Sequence, residues 1–264
     1  MASQRGQTFI GRLREMSALT SALDRTLDGH GQMVMLAGEP GIGKTSTARE
    51  FAAYAGTKGA QVLCGWCYEG DGAPPYWPWT HAIGSYVEGL DAGQLAALLD
   101  GGSPRLAEIV PQIRQKLPDL PTPPELEPDQ ARFQLFDSVA TFLKNASTAG
   151  PLLVVLEGLR RADHASLMLL EFVISGVSAT SLMALGTYRE VEVGRRHHFF
   201  LTLAELARDP DFQRFHLNSF SREDVARFVE SRGAITLNDS DLELVHGRTG
   251  GNPFFLNEYM RLNE

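Results

Sequence analysis

The chain has 264 residues, 43% hydrophobic and 21% charged, which is enough for one sizeable α/β core with a small helical unit and too few for several independent cores. A formal net charge of −8 excludes binding of DNA or RNA by a bulk positive field, because non-specific affinity comes from neutralising phosphates with Lys and Arg. No apolar run approaches the roughly 18 residues of a membrane helix, and the N-terminal MASQRGQTFIGR has no apolar stretch of the secretory kind, so a cytoplasmic chain without membrane contact is expected.

Leu13, Met16, Leu19, Leu23 and Leu27 recur every three or four residues, which predicts an amphipathic helix ending at Gly29-His30-Gly31. The apolar run Met33 to Ala37, followed by a helical pattern from Lys44 to Tyr54, reads as a buried parallel strand feeding a helix. Further strands are expected at Gln61 to Leu63, Leu152 to Leu156, Leu182 to Leu185 and Phe215 to Leu217, with helical patterns between them. Such alternation calls for a mostly parallel five-stranded sheet covered on both faces. Residues 68–148 are more than a minimal crossover needs. They open with Gly70-Asp71-Gly72-Ala73-Pro74-Pro75-Tyr76-Trp77-Pro78-Trp79, read as a stiff aromatic hook that either meets a ligand or partner or caps a core edge. Helices are expected up to Lys116, then a proline-rich connection from Leu117 to Pro128, then a helix from Asp129 to about Lys144. From Ser221 the pattern is helical, with Ser221 as N-cap and Asp224 in the first turn.

The chemistry is concentrated in Gly38-Glu39-Pro40-Gly41-Ile42-Gly43-Lys44-Thr45, a G-x-x-x-x-G-K-T spacing at a strand-to-helix junction. Glycines let successive backbone N–H groups converge on a β-phosphate, and the helix N-terminus at Lys44, Thr45 and Ser46 adds its dipole. Lys44 would meet the β and γ oxygens, and the Thr45 hydroxyl would meet Mg²⁺. The expected ligand is a purine nucleoside triphosphate, ATP with Mg²⁺, or its product ADP. Hydrolysis also needs a metal-side carboxylate and a group that orients water. Leu152 to Leu156 ends at Glu157, which can be the former, and at Gly158, which can be no base. Cys64 and Cys67 form a C-x-x-C pair, open to a redox or half-zinc reading but more simply small residues at a strand end. His197 and His198, after Arg195 and Arg196, are expected in a polar surface loop.

Taken in order, Phe9-Ile10-Gly11-Arg12, GEPGIGKT, CYEGDGAPPYWPW, LEGLRRAD, GTYRE and RTGGNPFFL resemble the successive signatures of one P-loop family. It is the bacterial AAA-type ATPase domain of the STAND class, found in large LuxR-type transcriptional regulators and in some cyclase or kinase fusions. The likeness runs from Thr8 to Leu256. It implies a three-layer P-loop α/β core over residues 32–218 carrying the helical insertion 68–148, an N-terminal helix and adenine-side motif in 1–31, and a helical lid in 219–264. By the same resemblance Phe9, Ile10, Gly11 and Arg12 lie against the adenine. Arg189 is a fourth-strand sensor near the γ-phosphate and joins Lys44 and Glu157 as a candidate catalytic residue. Pro253, with Gly251 and Asn252, forms the turn that closes over the base and reports the nucleotide. Read without the family, Phe9 and Ile10 would staple the first helix, Arg189 would be a solvated charge, and Pro253 would begin the last helix.

The departure from the pattern lies at Glu157-Gly158-Leu159-Arg160-Arg161-Ala162-Asp163, where relatives carry two adjacent acids followed by His-Trp-Ala-Asp. Glycine in place of the second acid implies binding with slow hydrolysis, since positioned base groups contribute about 10²–10⁴-fold to rate. Asp163 is open to acting through a water chain but is more simply expected to cap a helix. The alternatives are a fully active ATP hydrolase or a small-molecule kinase, the latter disfavoured by the Gly-Asn-Pro signature and by the lack of an acceptor lid. Relatives continue into helical repeats and a helix-turn-helix, so further domains or self-association in a longer protein are expected partners, with no nucleic acid held by this segment.

Overall fold

A computed structural model describes residues 9–68, 70, 72–99, 104–190, 198–233 and 237–262. Asp71 of the expected hook, and Arg195, Arg196 and His197, lie outside the described residues. The elements in order are α1 (Leu13–Leu27), β1 (Gln32–Ala37), α2 (Lys44–Thr57), β2 (Gln61–Trp66), α3 (Trp77–Gly89), α4 (Ala92–Leu98), α5 (Leu106–Ile109) and α6 (Gln112–Lys116). They continue with α7 (Pro128–Ala149), β3 (Leu152–Glu157), a 3-10 turn (Leu159–Arg161), α8 (His164–Ser175), β4 (Leu182–Thr187), α9 (His198–Leu206), β5 (Phe212–His216), α10 (Arg222–Gly233), α11 (Asp239–Thr249) and α12 (Pro253–Leu262).

Every residue of β1 and of β4 is buried, as befits parallel strands covered on both faces. Their period of two sorts the core. Met33, Met35, Ala37, Val154 and Leu156 pack on one side with α3, α7, α8 and α9, while Val34, Leu36, Leu153, Val155, Met183 and Leu185 pack on the other with α1 and α2. The strands are parallel in the order β2-β3-β4-β1-β5. Leu36 is level with Thr187 on one flank and Phe215 on the other, and Trp66 is level with Glu157. The C-terminal ends of the strands therefore share one edge, where open α/β sheets hold their ligands.

The expected hook is the start of a helix. Pro78 sits in the first turn of α3, where a missing N–H costs no hydrogen bond. Trp79 is 1% exposed and its indole N–H donates to the Ser166 carbonyl at 3.1 Å, clamping α3 to α8. Trp77 is half-buried, 4.5 Å from the His81 ring and 6.2 Å from Tyr68. At the other end of the chain, Ser221 and Asp224 form a reciprocal cap: Asp224 N–H donates to Ser221 Oγ at 3.1 Å and Ser221 N–H to Asp224 Oδ2 at 3.2 Å. The helices α10 to α12 enclose a small core of Phe220, Val225, Val245 and Leu256. Among the described residues no helix is long and apolar enough to cross a membrane.

Candidate functional site

The loop between β1 and α2 holds its shape through glycines in the left-handed region, with φ of 77° at Gly41 and 100° at Gly43. At Gly41 a side chain is excluded twice over, since an added Cβ would stand 2.6 Å from Phe254 Cβ and 3.0 Å from Asn252 Oδ1. Ile42 is buried in the core and fixes the loop's base. Lys44 is also buried, and its Nζ donates to the Gly38 carbonyl at 2.8 Å and the Glu39 carbonyl at 2.7 Å. Burial, and then the charge of Arg189, push its ammonium down to about 8. Because Lys44 begins α2, the first N–H groups of that helix have no intrahelical acceptor and open into the loop's hollow with the positive end of the dipole.

Beside the loop, Thr45 Oγ1 donates to Glu157 Oε2 at 2.6 Å, which brings a hydroxyl from α2 to a carboxylate at the end of β3. These hard oxygens suit Mg²⁺, which takes one or two carboxylates and completes its shell with phosphates and water. Next along, Gly158 has φ 78° and its N–H donates to Thr187 Oγ1 at 3.1 Å. Asp163 accepts the Ser166 N–H at 2.9 Å as the N-cap of α8, the role expected of it.

Two cavities flank Lys44. The larger, about 680 Å³, runs between the loop and the C-terminal helices and is lined by Phe9, Ile10 and Arg12 together with Phe220, Pro253 and Phe254. The smaller, about 220 Å³, lies over the strand ends and is lined by Trp66, Cys67, Glu157, Gly158, Arg160, Arg161, Thr187 and Tyr188. Lys44, Thr45 and Arg189 line both. The C-terminal helices are bonded directly to the loop: Asn252 Nδ2 donates to the Pro40 carbonyl at 3.0 Å, and Phe254 N–H donates to the Gly41 carbonyl at 3.2 Å. Arg12 completes this junction, donating to the Ile42 carbonyl at 2.6 Å and the Asn218 carbonyl at 2.5 Å, with its guanidinium 5.1 Å from the Phe220 ring centre.

Of the residues singled out from sequence, Phe9, Ile10, Arg12, Gly41, Ile42, Gly43, Lys44, Thr45, Ser46, Arg189 and Pro253 share the larger cavity, and Glu157 lines the smaller. Gly11, Glu39 and Pro40 line neither. Gly11 packs on Phe220, where an added Cβ would come within 2.9 Å, and Glu39 and Pro40 act through their carbonyls. Sequence reasoning missed Trp66, Thr187, Tyr188, Phe220 and Phe254 as wall residues. Thr187 and Tyr188 precede Arg189 at the end of β4 and Phe254 follows Pro253, so adjacency was the available signal. The C-x-x-C pair divides: Cys64 is exposed on β2 and Cys67 is buried, its thiol pushed up to about 12 by burial and then by Asp163. A thiol so placed is not a nucleophile near neutrality, and no group of three or more His, Cys, Asp or Glu able to hold a metal occurs among the described residues.

A family model described as AAA ATPase domain matches residues 8–185. Among solved structures the chain is similar to a signal transduction ATPase with numerous domains and a tetratricopeptide repeat sensor from Pyrococcus horikoshii, at 14% identity and a TM-score of 0.55, covering 97% of this chain and 30% of that one. It is also similar to the Drosophila origin recognition complex bound to DNA, at 16% identity and a TM-score of 0.50, covering 98% of this chain and 56% of that one. This chain thus spans under two thirds of either relative. No curated protein matches. At these identities the structural likenesses carry the fold, and the family model, which spans well over half the sequence and contains the whole phosphate loop, carries the assignment: the chain belongs to the AAA ATPase domain family.

Proposed function

We propose that this domain is an ATP-dependent switch that binds ATP with Mg²⁺, couples the occupant of its phosphate loop to the position of α10 to α12, and turns ATP over slowly. The observation that supports it most is the direct bonding of lid to loop, Asn252 to the Pro40 carbonyl and Phe254 N–H to the Gly41 carbonyl. A loop that rearranges around phosphate moves the acceptors that hold the lid, so the γ-phosphate biases a two-state arrangement through differential contacts. The base would lie in the larger cavity between Phe9 and Ile10 on one side and Pro253 and Phe254 on the other. Lys44 would leave the Gly38 and Glu39 carbonyls for the β and γ oxygens, and Arg189 would sense the γ-phosphate from the end of β4.

Thr45 and Glu157 would hold Mg²⁺ through their oxygens. When bound, the ion offsets charge on the β- and γ-phosphates. What the chain lacks is a side chain to orient water at Gly158, and Asp163 is committed to its cap. Slow turnover would give the ATP state a long lifetime, which suits signalling or transcriptional control within a longer protein that supplies further domains or a second copy. The likeness to a Pyrococcus signalling ATPase that carries a sensor favours the same reading.

Hydrogen exchange across residues 250–256 tests the switch. Exchange there should differ between ATP-Mg²⁺ and ADP-Mg²⁺. Identical exchange with ATP, with ADP and with no nucleotide would overturn it.

A further inference from the structure

We propose that the smaller cavity, on the far side of Lys44 from the base, is a subsite for a phosphate group beyond the γ-phosphate. This rests on reading Gly38 to Thr45 as a triphosphate cradle. Four cationic side chains, Lys44, Arg160, Arg161 and Arg189, face one carboxylate there, Glu157, and the Thr45 hydroxyl already engages that carboxylate. A triphosphate on the loop would meet Lys44 and Arg189. Arg160 and Arg161 extend from the 3-10 turn after Gly158 and are given no role by the triphosphate reading.

Gly158 makes the room. An added Cβ there meets only Cys67 Cβ, at 3.8 Å, and Gly158 lines the cavity, so the negative charge that an acidic side chain would bring to it is missing. Guanidinium forks match phosphate oxygens in pairs. The volume of about 220 Å³, part of which Mg²⁺ at Thr45 and Glu157 would take, is below the roughly 300 Å³ at which pockets for drug-sized ligands begin, so the occupant is a phosphate group and not a second nucleoside. It can be the fourth phosphate of a longer chain or a free phosphate ion.

The test compares adenosine 5′-tetraphosphate with ATP for affinity, on native protein and on an Arg160→Gln/Arg161→Gln double variant, and adds inorganic phosphate to native protein saturated with AMP-PNP. The tetraphosphate should bind the native chain at least about tenfold more tightly than ATP, as one further charge-assisted contact would give, and the double variant should lose that preference. A rise in melting temperature on adding phosphate assigns the subsite to the free ion as well. No rise with the preference intact assigns it to a chain-linked phosphate. Equal affinities together with no phosphate-dependent stabilisation overturn the subsite and leave the triphosphate reading standing, as the native measurement alone can show. Persistence of the preference in a folded double variant overturns the role of the two arginines, and failure of ATP itself to bind overturns both readings.

Discussion

The cavity on the lid side of Lys44 and the cavity on its far side share Lys44, Thr45 and Arg189 but differ in every other wall. The larger cavity is built from the N-terminal segment, the start of α2 and the C-terminal helices, with Phe9, Phe220 and Phe254 beside Arg12, Arg49 and Arg232. The far cavity is built from the ends of β2, β3 and β4 and from the 3-10 turn that carries Arg160 and Arg161. Separate construction lets one change without the other. Glycine at position 158 alters only the far cavity, so the machinery proposed to hold the nucleotide is untouched where the machinery proposed to cleave it is incomplete.

The largest effect should come from a residue common to both. Lys44→Ala should weaken ATP binding by about 10²-fold or more, the loss of two charge-assisted contacts, in a titration with fluorescent ATP. Because the ammonium is buried and its proton is held more weakly than usual, the same variant should leave the melting temperature of the nucleotide-free protein unchanged or higher.

The shift at Lys44 also sets a pH dependence. Its folded-state pKa of about 8 lies below the ordinary 10.5. Between those values the unfolded chain keeps a proton that the folded chain has lost, so this group makes stability rise with pH across that window. Phosphate oxygens favour the charged form. ATP binding should therefore take up a proton above pH 8, and affinity should fall towards about tenfold per pH unit there, with little dependence from this group below it. Calorimetry at pH 9 in buffers of different ionisation enthalpy reads the uptake directly.

Smaller effects separate the lid from the loop. Asn252→Ala removes the bond to the Pro40 carbonyl and one of the two acceptors of Phe254 N–H, leaving the Gly41 carbonyl, a loss of about 1–2 kcal/mol. It should raise hydrogen exchange in α12 and weaken ATP by several-fold while leaving the sheet protected. Of similar size is the stability change on Gly158→Asp. The new Cβ has room, so only the backbone conformation at φ 78° opposes it, at roughly 1–2 kcal/mol, a drop of about 2–8 °C in melting temperature.

Legibility followed range. The phosphate loop and β1 are local patterns, and α1 spans the residues its periodicity predicts, Leu13–Leu27. The strand β5 begins at Phe212, three residues before the predicted start, because Phe212, Gln213 and Arg214 lie on an edge strand where burial is partial and no apolar run develops. The Trp77-Pro78-Trp79 segment reads as a rigid loop by composition, yet proline is at home in a first helical turn, and the clamp from Trp79 to Ser166 spans too many residues for a local pattern to announce. The far cavity was the least legible part. Trp66, Glu157 and Thr187 meet only because β3 lies between β2 and β4, and strand order is not written in any one segment.

Multiple-turnover phosphate release at saturating ATP from native protein, Gly158→Asp and Lys44→Ala tests whether a competent phosphate loop lies beside an incomplete hydrolytic site. The aspartate variant should exceed native turnover by about 10²-fold or more, with the alanine variant at background. Native turnover equal to that of the aspartate variant, and abolished in Lys44→Ala, would contradict it.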